Sequence, residues 1–203
     1  MDEKRKKLVL EFWDRSNVLN LENKEYLLFV KRVINEKLRE DIGKGDITTN
    51  SLISKNAQAK AVVIAKQNGI VAGIDESSLL FENCRIAKNK TNGDIVKNKE
   101  IIFEVAGNAR KILSCERTAL NVMQRMSGIA TLTSNLNKII ENRCFIIGTR
   151  KTAFGMMDKA AISCGKGLTH RINLNDGILI KDNHLKFLNN DFEKSFLQLC
   201  LTI

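Results

Sequence analysis

The chain of 203 residues contains no proline, so its turns must be made with glycine, asparagine, aspartate and serine. It has one tryptophan and one tyrosine, little aromatic surface on which a single nucleic-acid strand would stack. The five cysteines (Cys84, Cys115, Cys144, Cys164 and Cys200) form no C-x-x-C pair. An odd, scattered set argues against a disulfide framework or a zinc site. It suits reduced thiols in a cytosol, packed as small buried hydrophobes. No apolar run approaches a membrane span, and the basic start "MDEKRKKLVLEFWDR" continues only through Leu8–Leu10, too short for a signal peptide. The sequence therefore reads as cytoplasmic, with no membrane contact.

What is present is an ordinary soluble composition, 43% hydrophobic and 28% charged, at a length that supports a substantial core. The formal charge is +10, from 33 Lys+Arg against 23 Asp+Glu. A basic protein of this kind binds nucleic acid, an acidic membrane surface or a small polyanion. Only Lys4–Lys7 form a dense basic run, and Asp2 and Glu3 precede it, so nucleic-acid binding is the weakest of these readings.

Apolar residues at helical spacing predict a helix over Lys24–Asp41. Ala59–Lys66 and Gly69–Ile74 read as two strands about the turn "QNG", and "DESSLLFENC" as a helix. Lys88–Gly107 returns to strands with turns at "TNGD" and "AGN". Ser114–Asn142 is a long helical stretch, expected to be interrupted or kinked near Ser127–Gly128. The strand "CFII" (Cys144–Ile147), the helix "GMMDKAAISCG", the strand "GILI" (Gly177–Ile180) and a last helix over Asp191–Leu201 follow. Strands alternating with helices argue for parallel βα units, and a domain boundary is expected near residue 112.

The two late strands end alike: "CFIIG" runs into Thr149, Arg150 and Lys151, and "GILI" into Lys181, Asp182, Asn183 and His184. In a parallel βα array such ends share the ligand-binding face. Between them lies "GKGLTHR", whose Gly165 and Gly167 allow a ligand close to the backbone, followed by His170 and Arg171. Each element alone has a plainer reading: a solvated loop charge, a locally bonded histidine, a turn. Their joint placement favours a pocket for phosphates or carboxylates. Asp182 suits an orienting role as well as a ligand role, and no metal-ligand cluster or nucleophile–base pair stands out.

Four stretches in order, "EDIGKGDITT", "ERTALNVMQRMSGIATLT", "TRKT" and "HRINLNDGILIKDNH", resemble the quinolinate phosphoribosyltransferase family between about Glu40 and His184. The resemblance implies an N-terminal α/β sandwich (1–112) followed by part of a type II phosphoribosyltransferase α/β barrel (113–203). It implies a glycosyltransferase (pentosyltransferase) joining quinolinate to phosphoribosyl pyrophosphate with Mg2+, releasing nicotinate mononucleotide, pyrophosphate and CO2, a step of de novo NAD synthesis. Thr149, Arg150, Lys151, His170, Arg171 and Lys181 would bind the substrates. Arg117 would enter the site of a neighbouring subunit, so a homodimer or higher oligomer is expected.

The sequence departs from the family's usual pattern. Gly148 stands where aspartate is usual, Phe154 where proline is usual, and Lys166 at the middle of a three-glycine loop. An α/β barrel takes about 200–250 residues, more than residues 113–203 supply. The sequence is therefore expected to be a truncated or frameshifted gene product, a fragment, or a half-barrel completed by another chain. A non-catalytic remnant, or an assembly partner of a full-length homologue, is the alternative.

Overall fold

A computed structural model describes residues 2–141, 143–188 and 191–200, in two compact units, Met1–Ile172 and Asn173–Ile203. The first unit carries α1 (Glu3–Trp13), α2 (Lys24–Ile42), α3 (Ile47–Leu52), β1 (Gln58–Ile64), β2 (Gly69–Ile70), α4 (Ile74–Ser78), β3 (Arg85–Lys88), β4 (Ile95–Val96), β5 (Ile101–Asn108), α5 (Ala109–Ile140) and α6 (Met156–Cys164). The second carries α7 (Asp182–Phe187) and α8 (Phe192–Cys200). Asn142 and Leu201, at the ends of two expected helices, lie outside the described residues.

Helix α2 begins where the Asn23 side chain accepts the Tyr26 amide N–H at 3.0 Å, satisfying one of the first turn's orphan donors. Its buried residues, Tyr26, Val30 and Ile34, recur every four positions and so share one face. Helix α5 starts in the same way, with the Asn108 side chain accepting from Lys111 N–H at 3.2 Å. It runs for 32 residues, roughly 48 Å, and its buried stripe extends from Ala109 to Thr133. No break occurs at Ser127–Gly128, contrary to the kink expected there. The Ser127 hydroxyl accepts from Ala72 N–H at 3.0 Å and lies 3.1 Å from Ala72 O, so its polarity is spent on the adjoining chain. The same helix passes without interruption through residue 112.

Strand β5 is the centre of an antiparallel sheet ordered β1-β5-β3, and β2 pairs antiparallel with β4 in a separate ribbon. The two strands flanking "QNG" therefore do not form a hairpin with each other. Each takes a later partner, because β5 offers β1 a register seven residues long whereas β2 is only Gly69–Ile70. Phe103 and Val105 of β5 join Tyr26, Val30, Ile34, Ile74 and Met126 in one core.

Other expectations change as well. "CFII" forms no ladder; Ile147 makes a single parallel bridge to Leu168 and is 37% exposed. "GILI" adopts no strand. Of the cysteines only Cys115 is buried; Cys84 and Cys164 are half-buried, and Cys144 and Cys200 are exposed. All five are free thiols. Among the described residues no helix is long and apolar enough to cross a membrane.

One polar knot lies inside this core. The fully buried Tyr26 hydroxyl donates to Glu76 Oε1 at 2.7 Å, and Asn92 Nδ2 donates to Glu76 Oε2 at 3.1 Å. Asn92 Oδ1 accepts from Ile74 N–H at 2.8 Å, tying α2, α4 and the β3–β4 turn together. Burial pushes the Glu76 carboxyl above its ordinary value, against the lowering effect of the donated hydrogen bonds. The native state therefore holds this proton to higher pH than the unfolded chain does. The stabilising contribution is complete below the unfolded value of about 4.3 and is lost as pH rises through the native one. Glu76→Gln is expected to flatten the fall in urea midpoint as pH rises above about 4.3, relative to wild type.

Candidate anion-binding site

The site region is built around α6, which lies between two non-helical segments, residues 144–151 and 165–171. Gly148 N–H donates to Leu168 O and Leu168 N–H to Ile146 O, both at 2.8 Å, so the segments run side by side. This brings Thr149, Arg150 and Lys151 next to Thr169, His170 and Arg171.

What holds the two ends is a pair of adjacent charges on an otherwise apolar helix. Lys159 is 2% exposed, and its Nζ donates to Thr149 O at 3.2 Å and Thr169 O at 2.6 Å. One ammonium thus bridges the main chain of both segments, one residue before Arg150 and two before Arg171. Asp158, 3% exposed, accepts two bonds of 2.7 Å from the Arg125 guanidinium of α5. Its Oδ2 also accepts from the Ala153 and Phe154 amides at 3.0 and 3.1 Å. That fixes the loop after "TRKT", and Arg125 stacks over the Phe154 ring at 4.8 Å. Neither Asp158 nor Lys159 is among the residues expected from sequence. The detectable signal is a charged pair inside "MMDKAAISC", where Met157–Ala161 are all buried.

Arg150 and Lys151 are exposed at the end of the first segment, and Thr149 Oγ1 accepts from Lys151 N–H at 3.1 Å. Arg171 is 5% exposed. His170 adopts a left-handed backbone (φ 61°), and its Nδ1 lies 3.4 Å from the Arg171 carbonyl. Desolvation lowers its pKa below the usual imidazole value; Lys159, Arg171 and Arg150 add to the fall, and the Arg171 carbonyl opposes it. Arg117 lies exposed on α5, 13 positions before Ala130, whose carbonyl faces the loop at Gly165. That is roughly 20 Å along the axis, so this chain does not bring Arg117 to the cluster. Lys181 belongs to the second unit, where its N–H donates to His184 Nδ1 at 2.9 Å at the start of α7.

The departures from the expected motif are accommodated by packing. A Cβ at Gly148 would stand 2.7 Å from Ile162 Cδ1, so a larger residue there requires Ile162 to move. Phe154 donates the amide bond to Asp158 that proline lacks. Gly165 and Gly167 pack against α5. A Cβ at Gly165 would meet Ala130 O at 2.4 Å, and one at Gly167 would meet Thr133 Cγ2 at 2.7 Å. These glycines let the loop lie directly on α5. Lys166 between them has φ 64°, and Asn137 Nδ2 donates to the carbonyls of Gly165 and Lys166.

The arrangement places several fixed cations at the ends of two linked segments and excludes water from the ammonium that joins them. Cations placed in this way suit carboxylate or phosphate oxygens. Among the described residues no three His, Cys, Asp or Glu side chains converge to hold a metal ion.

Known proteins share this framework. A family model described as "Quinolinate phosphoribosyl transferase, N-terminal domain" matches residues 46–127, and one for the C-terminal domain of the same family matches 129–198. The probable nicotinate-nucleotide pyrophosphorylase [carboxylating] of Bacillus subtilis is 42% identical over 165 residues, covering 78% of this chain and 57% of the relative. Its counterpart in Methanocaldococcus jannaschii is 41% identical over 167 residues, covering 80% and 58%. The structure of the nicotinate-nucleotide pyrophosphorylase from Francisella tularensis superposes with a TM-score of 0.71 at 37% identity, covering 77% of this chain and 58% of that one. The mixed α/β fold is that of the type II phosphoribosyltransferases, and the chain spans less than three fifths of these relatives' length.

Two outcomes follow from the packing. Lys159→Met strips the donor from two buried carbonyls and is expected to cost about 2–4 kcal/mol, read from urea unfolding. Lys166→Gly relieves a left-handed residue with no loss of packing and is expected to add about 0.5–1 kcal/mol.

Proposed function

We propose, because the chain belongs to the quinolinate phosphoribosyltransferase family, that its cationic site binds quinolinate and phosphoribosyl pyrophosphate and joins them. The observation that carries this reading is the placement of Thr149–Lys151 beside Thr169–Arg171, tied by Lys159, within the span that the family models match. The two carboxylates of quinolinate and the phosphate and pyrophosphate of the second substrate are the anions that such a cluster suits.

In the proposed reaction the pyridine nitrogen attacks the anomeric carbon of the ribose. The C–O bond to pyrophosphate breaks, and its electron pair leaves with the pyrophosphate. The 2-carboxylate then departs as CO2, and the ring carbon takes a proton in its place. The protein's part is positioning and charge: Arg150, Lys151 and Arg171 hold anionic oxygens, and His170 hydrogen-bonds beside them. Mg2+ is proposed to accompany the pyrophosphate. The described residues offer it no carboxylate cluster, and no step is derived through it.

Arg117, exposed on α5, supports a dimer in which this side chain completes the site of a second copy. Cytoplasmic placement belongs to the same proposal and is supported by the five free thiols. A second reading is an assembly partner of a longer homologue; the chain spans 57% and 58% of the two relatives compared.

Calorimetry with quinolinate and a nicotinate mononucleotide assay with both substrates test the primary reading. Arg150→Ala or Lys151→Ala is expected to weaken quinolinate binding by about 10–100-fold, roughly 1.5–3 kcal/mol. Melting temperature should stay unchanged, because both side chains are exposed. Wild-type affinity in both variants refutes the site; product formed only when a longer homologue is added selects the second reading.

A further inference from the structure

The residues ahead of position 46 lie outside the span matched by the family models, yet two of them reach the candidate site. Trp13 O accepts from His170 N–H at 2.9 Å, and Arg15 N–H donates to Thr169 Oγ1 at 2.7 Å. The Thr169 hydroxyl, wholly buried, lies 3.1 Å from both Trp13 O and His170 O. The Trp13 indole packs against the His170 imidazole with ring centroids 4.5 Å apart, and Phe12 closes on Trp13 edge-on at 4.8 Å. His170 is in a left-handed conformation unfavourable for a residue with a Cβ, so something must hold it there. The main-chain bond from Trp13 does so.

We propose that Trp13 is a positioning residue of the anion site, presenting the His170 imidazole in one orientation with one face withdrawn from water. The backbone bond sets where the loop sits, and the indole sets which way the ring faces. A ring covered on one side and surrounded by cations works as an uncharged hydrogen-bonding group. Every charge facing it agrees: Lys159 from α6, Arg171 beside it and Arg150 from the other segment all disfavour the imidazolium. From the N-terminal side, Asp14 Oδ1 is engaged by Ser16 N–H, and the Arg15 guanidinium by the Glu11 and Asp14 carbonyls. Neither supplies a counter-charge that would reverse the balance.

The contribution to ligand binding rests on the reading of this pocket as a quinolinate site; the positioning itself does not. The chain has only two histidines, so imidazole C–H resonances are assigned directly with His184→Gln. Trp13→Ala is expected to raise the His170 titration midpoint, as the covered face meets water, and to shift its C–H resonances as the indole ring current is lost. Trp13→Phe is expected to keep the midpoint near wild type. An unchanged or lowered midpoint in folded Trp13→Ala overturns the proposal. If Trp13→Ala does not fold, Trp13→Leu decides, since unchanged His170 resonances without the indole overturn it equally. Calorimetry with quinolinate should show Trp13→Ala weakened on the order of tenfold, with Trp13→Phe restoring affinity. Wild-type protein that binds no quinolinate refutes the functional reading and leaves the titration to judge the positioning.

Discussion

A single buried ammonium ties together the two segments that carry the clustered cations. Lys159 Nζ joins the main chain at Thr149 to that at Thr169, and the only ladder-type pairing between the two segments is one bridge at Ile147–Leu168. Two short non-helical pieces with so little pairing would not keep their register unaided. The ammonium also explains a local economy of charge. It satisfies one carbonyl of each segment, while Arg150 and Lys151 stay exposed. Asp158, its neighbour, works in the opposite direction, fixing the loop beyond "TRKT" to α5 through Arg125. One turn of α6 thus anchors the site both to itself and to the long helix.

That long helix carries the rest of the architecture. Its buried stripe receives α2, α4 and the β-sheet along one length and α6 with the glycine loop along another. The polar groups along it are used where they fall. Ser127 and Thr131 bond the chain at Ala72 and Ile70, and Asn137 holds the Gly165–Lys166 turn. Helix and loop approach so closely that Gly165 and Gly167 have no room for a side chain, whereas Lys166 between them projects to solvent. These two glycines are a helix-packing device in the structure.

The helices were legible because their apolar spacing is a property of one segment: Tyr26, Val30 and Ile34 declare a face without any partner. Strands are different, since pairing belongs to two segments at once. "CFII" and "GILI" have strand composition but no ladder, and β1 bypassed its neighbour β2 for β5, far along the chain. The exposed cations of the site were visible from their position after apolar runs. Lys159 and Trp13 were not, because nothing in "MMDKAAISC" says that its lysine turns inward, and nothing near Trp13 points to a histidine far along the chain. The substitutions at 148, 154 and 166 were visible as departures, but their consequences needed neighbours: Ile162 fills the space above Gly148, and the Phe154 amide serves Asp158.

The contact between Arg15 and Thr169 spans 154 positions of chain. At about 5–20 residues per second of synthesis, the N-terminal helix exists for roughly 8–30 s before the loop that it clasps has been made. The sheet and α2 can assemble during that interval, since their partners are nearer along the chain. The clasp cannot, and long loops close late because their entropy must be met before the contact is rewarded. The residues at the end of α1 are therefore among the last to reach their places, and the imidazole acquires its setting only as this first unit is completed.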